Sequence, residues 1–191
     1  MTAHLILASA SPRRLDLLAR FSVVPSVIDP ADSDETPAKG EAPVPYARRM
    51  AAEKAAIVAA RHPGQVVIAA DTVVASGLRI LPKAETEAEA RFCLALLSGR
   101  RHRVHSAVTV IDGAGQARHR LSTTVLTFKR LSKAEVDAYI VGGEWLGKAG
   151  GYAIQGHAEA FVRHLAGSHS GVMGLPLFEA RALLVSAGVL I

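Results

Sequence analysis

The chain has 191 residues, 50% of them apolar, with a mean hydropathy of +0.25, a formal charge of +5 and a pI of about 9.7. That length and apolar content exclude a disordered chain and suffice for a substantial core, read here as one domain over residues 1–191. No apolar run approaches the roughly 18 residues that span a bilayer, the start MTAHLILASASPRR lacks a basic segment leading into a cleavable apolar one, and the single Cys93 precludes an internal disulfide. A cytoplasmic protein with no membrane partner is the expectation.

The positive charge asks for an anionic partner. It is dispersed in pairs such as Arg13-Arg14, Arg48-Arg49 and Arg100-Arg101, and only 5% of residues are aromatic, which speaks against nucleic acid and fits a small anion such as a nucleotide. The eight histidines show neither HExxH nor a zinc spacing and read as mostly surface residues.

In chain order, Leu5 to Leu18 reads as a buried strand turning directly into a helix, with Ser11 as N-cap and Pro12 in the first helical position. Arg13 and Arg14 follow where the unpaired N–H groups already carry positive charge. Ser9, Ser11 and these two guanidiniums suit a phosphate cradle, against the plainer reading of two solvated arginines. Val23 to Ile28 predicts a short strand. Asp29 to Pro45 is a loop with four prolines and the acids Asp32, Asp34 and Glu35, either solvated or positioned for a metal or water. A helix follows from Pro45 to Arg61, with Lys54 on the apolar stripe of Ala47, Met50, Ala51 and Val58, placed either to snorkel or to point into a site.

Gln65 to Ala75, QVVIAADTVVA, predicts a strand covered on both faces. Asp71 interrupts it. A carboxylate inside such a strand needs a partner, a metal or a chemical task, while Thr72 falls on the opposite face. A return strand over Leu78 to Leu81 would set Lys83 beside Asp71. A helix over Thr86 to Ser98 carries Ala88, Phe92 and Leu96 and stops at Gly99, with Cys93 a small buried residue. Arg103 to Asp112 and Ala117 to Leu131 form a hairpin, and Ser132 caps a helix to Val141. Gly142 to Gly156 holds six glycines, with Trp145 and Tyr152 placed against a base or a core edge and Gln155 able to read a base through its amide. Phe161 to Leu165 reads as a strand, GSHSGVMG as a loop and Leu175 to Val189 as a closing helix.

The stretches LASASPRRLDLL, AAEKA, AADTVV, LSGRRHRVHSAV, GKAGGYAIQG and GVMGLPL, in this order and spacing, resemble the Maf-like nucleoside triphosphate pyrophosphatases over nearly the whole chain. AADTVV and YAIQG are similar to the dTTP/UTP branch rather than to the branch resembling 7-methyl-GTP pyrophosphatases. The resemblance implies a Maf/ITPase-like α/β fold, an elongated twisted mixed β-sheet flanked by helices, with a central cleft between two lobes. It implies hydrolysis of dTTP and UTP to the monophosphate and diphosphate, or the same chemistry on another modified nucleotide. A non-catalytic nucleic-acid-binding or division-regulating protein is the contrasting class.

By the same resemblance Asp71 is the general base, and Arg13, Thr72 and Gln155 are associated with substrate choice. Ser9, Arg14, Lys54 and Lys83 line the phosphate site. Glu35 and Asp71 are the candidate ligands for a divalent cation, Mg²⁺ or Mn²⁺, and Gly150-Gly151 would let the base approach closely. The chain departs from the family at Pro82-Lys83-Ala84, where Gly-Lys-Pro is common, and in a longer, more acidic early loop. A symmetric homodimer is the base-rate assembly.

Overall fold

The computed structural model describes residues 4–189. The opening MTA of the start read for a leader lies outside them.

The first half of the chain alternates strands and helices: β1 (Leu5–Leu7), α1 (Pro12–Ala19), β2 (Val27–Ile28), α2 (Pro43–Arg61), β3 (Val66–Ser76), β4 (Arg79–Leu81), β5 (Lys83–Ala84) and α3 (Glu87–Leu97). The second half begins with the long hairpin β6 (Arg101–Ile111) and β7 (Ala117–Phe128), then α4 (Lys133–Gly142) and β8 (Lys148–Ala149). A 3-10 turn at His157–Phe161 leads into β9 (Val162–Ala166), α5 (His169–Met173) and α6 (Leu177–Ser186). The main sheet runs in the order β2-β1-β3-β6-β7-β9, with β4 attached to β3. β1 is parallel to both neighbours and the rest pair antiparallel, so the expected mixed sheet flanked by helices is what forms.

β3 is the spine because its apolar residues serve both faces. Val67, Ala69 and Val73 pack under the small and apolar stripe of α2, Ala47, Met50, Ala51, Ala55 and Val58. Val66, Ile68, Ala70 and Val74 face the larger core, where Leu17, Leu18, Leu94, Leu97, Leu183 and Leu184 are buried. Each of these leucines removes on the order of 2 kcal/mol of apolar surface from water. Phe128, Tyr152, His102 and Phe161 meet edge-on in the same core, and burial holds the His102 imidazole down at about 4. His102 and His105 are thus exceptions to the surface reading of the histidines.

Several expectations need correction. α2 starts two residues early, at Pro43, because proline without an N–H suits a first turn. Ser11 takes the N-cap position of α1, but its side chain makes no capping bond. The inward face of α3 is Ala90, Cys93, Leu94 and Leu97, and Phe92 is 49% exposed. Burial pushes the Cys93 thiol up to about 11, as for an inert core residue. GSHSGVMG is not all loop: α5 forms within it, the Ser168 hydroxyl accepting from the Gly171 N–H at 2.9 Å. Five residues with an internal glycine show too little periodicity to be read as a helix.

β5 and β8 make a separate two-stranded ribbon that leans on the spine. Gly150 closes it, donating its N–H to the Pro82 carbonyl at 2.9 Å. At φ +69° a Cβ on Gly150 would sit 2.7 Å from Val74 Cγ1, whereas one on Gly77, at φ +64° in the β3–β4 turn, meets nothing within 4 Å. Gly77→Ala is expected to cost only the left-handed backbone penalty, about 1 kcal/mol. Gly150→Ala adds an overpacking cost of about 1–3 kcal/mol. Denaturant titration of both variants checks this, and equal losses would disprove the close approach of ribbon to spine.

Candidate active site

The site exists because one edge of β3 is left bare. β1 ends its ladder at Leu7 opposite Ile68, and β4 begins at Val74 opposite Leu81, so residues 69–73 have no strand beside them on that edge among the described residues. β1 stops where the small pair Ala8-Ser9 turns toward Pro12, which opens α1 and has no N–H to offer a ladder. A cleft of about 360 Å³ fills the gap. Because an edge is reached from both faces, Asp71 and Thr72, on opposite sides of the strand, both line it.

Asp71 is 5% exposed and Lys54 6% exposed, so neither charge is left to water. The Lys54 ammonium donates to Asp71 Oδ1 at 2.7 Å and lies 2.7 Å from Glu35 Oε1. Of the two readings of Lys54, the inward one holds. Lys83 does not touch Asp71 directly; its ammonium pairs with Glu35, which therefore joins both lysines. Burial pushes the Glu35 carboxyl up, but hydrogen bonds from Lys54 and Lys83 outweigh it and hold the group down at about 2. The acidic loop is fastened to α2 by residues that the sequence reading passed over. The Tyr46 hydroxyl donates to the Glu35 carbonyl at 2.6 Å, and Arg49 grips Glu41 and the Thr36 carbonyl.

Across the cleft, Arg13 and Arg14 leave the first turn of α1. Arg13 Nε donates to the Met173 carbonyl at 3.3 Å and Arg14 Nε to the Gly174 carbonyl at 2.9 Å. The free carbonyls at the end of α5 thus orient two guanidiniums that the N-terminus of α1 repels. Ser9, rather than Ser11, serves the turn: its Oγ accepts from the Ser11 N–H at 3.2 Å and from Arg14 Nη1 at 2.8 Å. Burial lowers both guanidinium pKa values. Lys148, on β8 within GKAGGYAIQG, joins the cluster without standing out in the sequence. It lines the cleft, its pKa lowered first by burial and then by Arg13, and among the described residues no carboxylate touches it. A lysine amid glycines was the available signal.

Thr72 Oγ1 lies 3.1 Å from Ser106 Oγ, and the exposed Gln155 lines the same cleft. All nine residues singled out in the sequence, Ser9 to Gln155, therefore meet around one cavity. Gly150 and Gly151 do not. Their α-carbons face Val74 and the Ala90–Cys93 turn of α3, so the glycines serve packing rather than approach of a base. Trp145 donates Nε1–H to the Ile140 carbonyl and packs against the core, and Tyr152 is buried with its hydroxyl at His102.

Chemically, the cleft sets five cations, Arg13, Arg14, Lys54, Lys83 and Lys148, against two carboxylates, which suits a polyanion. Asp71 and Glu35 converge on one ammonium, which takes one of the two Asp71 oxygens, while both Glu35 oxygens meet lysines. Two carboxylates are the donor set of a hard divalent cation that takes its remaining ligands from phosphates and water, so the residues fit such an ion.

The family model described as Maf-like protein matches residues 4–187. The dTTP/UTP pyrophosphatase of Novosphingobium aromaticivorans is 64% identical over 186 residues, covering 97% of this chain and 92% of that one. The dTTP/UTP pyrophosphatase of Zymomonas mobilis is 60% identical over 188 residues, covering 98% and 93%. A solved HAM1 protein from Coxiella burnetii shares the fold, with a TM-score of 0.51 at 18% identity over 97% of this chain and 100% of that one.

The Glu35 linkage has a defined pH signature. Its carboxyl is held at about 2 when folded, below the ordinary 4.5, so the unfolded chain binds the proton more tightly between those values. The stabilisation is complete above about 4.5 and disappears as the pH falls toward 2. Glu35→Gln is expected to flatten the acid limb of a plot of denaturation midpoint against pH, relative to the unsubstituted protein. An identical limb in both proteins would show that Glu35 is not held by the lysines.

Proposed function

Because the chain belongs to the Maf-like protein family, we propose that it hydrolyses dTTP and UTP to the nucleoside monophosphate and pyrophosphate, removing unwanted nucleotides. The observation that carries this reading is the buried Lys54 ammonium between Asp71 and Glu35, facing Arg13 and Arg14 across a cleft sized for a nucleotide. Relatives at 64% and 60% identity that bear the name dTTP/UTP pyrophosphatase supply the substrate class.

In this reaction Asp71 takes a proton from water as its oxygen attacks the α phosphorus. The bond from that phosphorus to the bridging oxygen breaks, and pyrophosphate departs with the electron pair. Arg13, Arg14, Lys83 and Lys148 neutralise the phosphate chain, and their fixed placement spares the site reorganisation during reaction. Lys54 holds and aims the Asp71 carboxylate, while Thr72 and Gln155 face the base. Asp71 and Glu35 would hold a Mg²⁺ or Mn²⁺ ion, which supplies charge to the phosphates when bound. Lys83 and Lys54 can take phosphate oxygens of the substrate in place of Glu35, since ammonium groups bind either anion.

The same reading places the enzyme in the cytoplasm, consistent with a lone buried thiol, and takes a symmetric homodimer as its assembly. Among the described residues no helix is long and apolar enough to cross a membrane.

Asp71→Asn is expected to lower pyrophosphate release from dTTP and UTP by at least about a hundredfold, with a small change in denaturation midpoint because Glu35 still meets Lys54. Incubation with each triphosphate, with and without Mg²⁺, followed by quantifying monophosphate and pyrophosphate, is the measurement. Near-normal turnover by the variant would refute the assignment.

A further inference from the structure

Ser106 lies on β6 directly across the ladder from Thr72 and is 1% exposed. Its Oγ sits 2.6 Å from the Gly171 carbonyl in α5, and 3.1 Å from Thr72 Oγ1. A carbonyl can only accept, so the single Ser106 proton is committed to Gly171. Between the two hydroxyls the remaining contact has one possible direction: Thr72 donates and Ser106 accepts. Thr72 has then spent its proton inside the protein, and what it presents to the cleft is a lone pair.

A hydroxyl held as an acceptor is useless to phosphate oxygens, which also only accept. It needs a donor on the ligand, and a nucleoside triphosphate carries donors only on its base and sugar. Thr72 therefore suits the nucleoside of the substrate rather than its phosphates. Uracil and thymine share a ring imino group, N3–H, that cytosine lacks, its N3 being a bare lone pair. Resting on the pyrophosphatase reading above, we propose that Ser106 is a positioning residue which locks the Thr72 hydroxyl as an acceptor for the N3–H of uracil and thymine, and so rejects cytosine.

The rejection is electrostatic rather than steric, because two lone pairs would face each other with no proton between them. It also accounts for a preference that spans a deoxyribonucleotide and a ribonucleotide, since the shared feature is on the base. In Ser106→Ala the Thr72 hydroxyl is released to rotate and can donate to cytosine N3.

The test is the ratio of kcat/KM for UTP to that for CTP, which cancels the amount of folded enzyme because both substrates meet the same molecules. Ser106→Ala is expected to lower that ratio roughly tenfold, chiefly through better use of CTP. Should Ser106→Ala fold poorly, Thr72→Val removes the acceptor itself and is expected to lower the ratio through poorer use of UTP. A ratio unchanged in both variants would overturn the proposal, as would an effect that follows the sugar, seen as a changed ratio of UTP to 3′-deoxy-UTP. If the unsubstituted protein turns over no triphosphate, the pyrophosphatase reading fails and takes this inference with it.

Discussion

The structure depends on one buried ammonium. Lys54 and Asp71 are both almost completely removed from water, and an isolated charge of either sign there would be prohibitively costly. Together, and with Glu35 as third partner, they offset much of each other's desolvation. The contact also ties three separate pieces of chain, α2, β3 and the acidic loop, at one point. Removing Lys54 would leave Asp71 in the core without its counter-charge, whereas the loss of one carboxylate still leaves Lys54 with the other.

The cleft is a property of sheet register rather than of any loop. β1 is three residues long and β3 eleven, so the longer strand runs on past its parallel neighbour. The return strand β4 rejoins only at Val74. In the intervening gap the period-2 alternation of side chains, which ordinarily sends neighbours to different compartments, delivers two adjacent residues with different chemistry to one cavity. Asp71 brings a charge from the α2 side, and Thr72 a hydroxyl from the α5 side. The walls are then supplied by what the gap attracts: the turn before α1, the β5–β8 ribbon and the end of α5.

Helix ends supply the electrostatics that side chains do not. Arg13 and Arg14 are unfavourable for α1 taken alone, and the carbonyls at the end of α5 relieve them while holding both forks toward the cavity. The short α5 also receives the Ser106 hydroxyl on Gly171. Five residues that look like loop in the sequence thus orient the arginines on one side and fix a hydroxyl proton on the other.

Much of this was legible in the chain itself. The spacing of apolar residues predicted β3, the long hairpin and most helices, because periodicity records which face is buried. Asp71 stood out as a charge inside an apolar run, and the motif resemblance gathered the remaining site residues. Partners across long separations were hidden. Nothing in the local sequence says that Lys83 meets Glu35 rather than Asp71, that Tyr46 anchors the acidic loop, or that Gly150 and Gly151 face Val74 and α3. The helix within GSHSGVMG was equally hidden, and Lys148 offered only the signal of a lysine amid glycines. Sequence by itself determined which segments bury and which residue types carry charge, since these follow from local composition. Only the tertiary structure decided who neutralises whom, because hydrogen bonds and ion pairs act over a few ångströms of space and chain distance does not encode them.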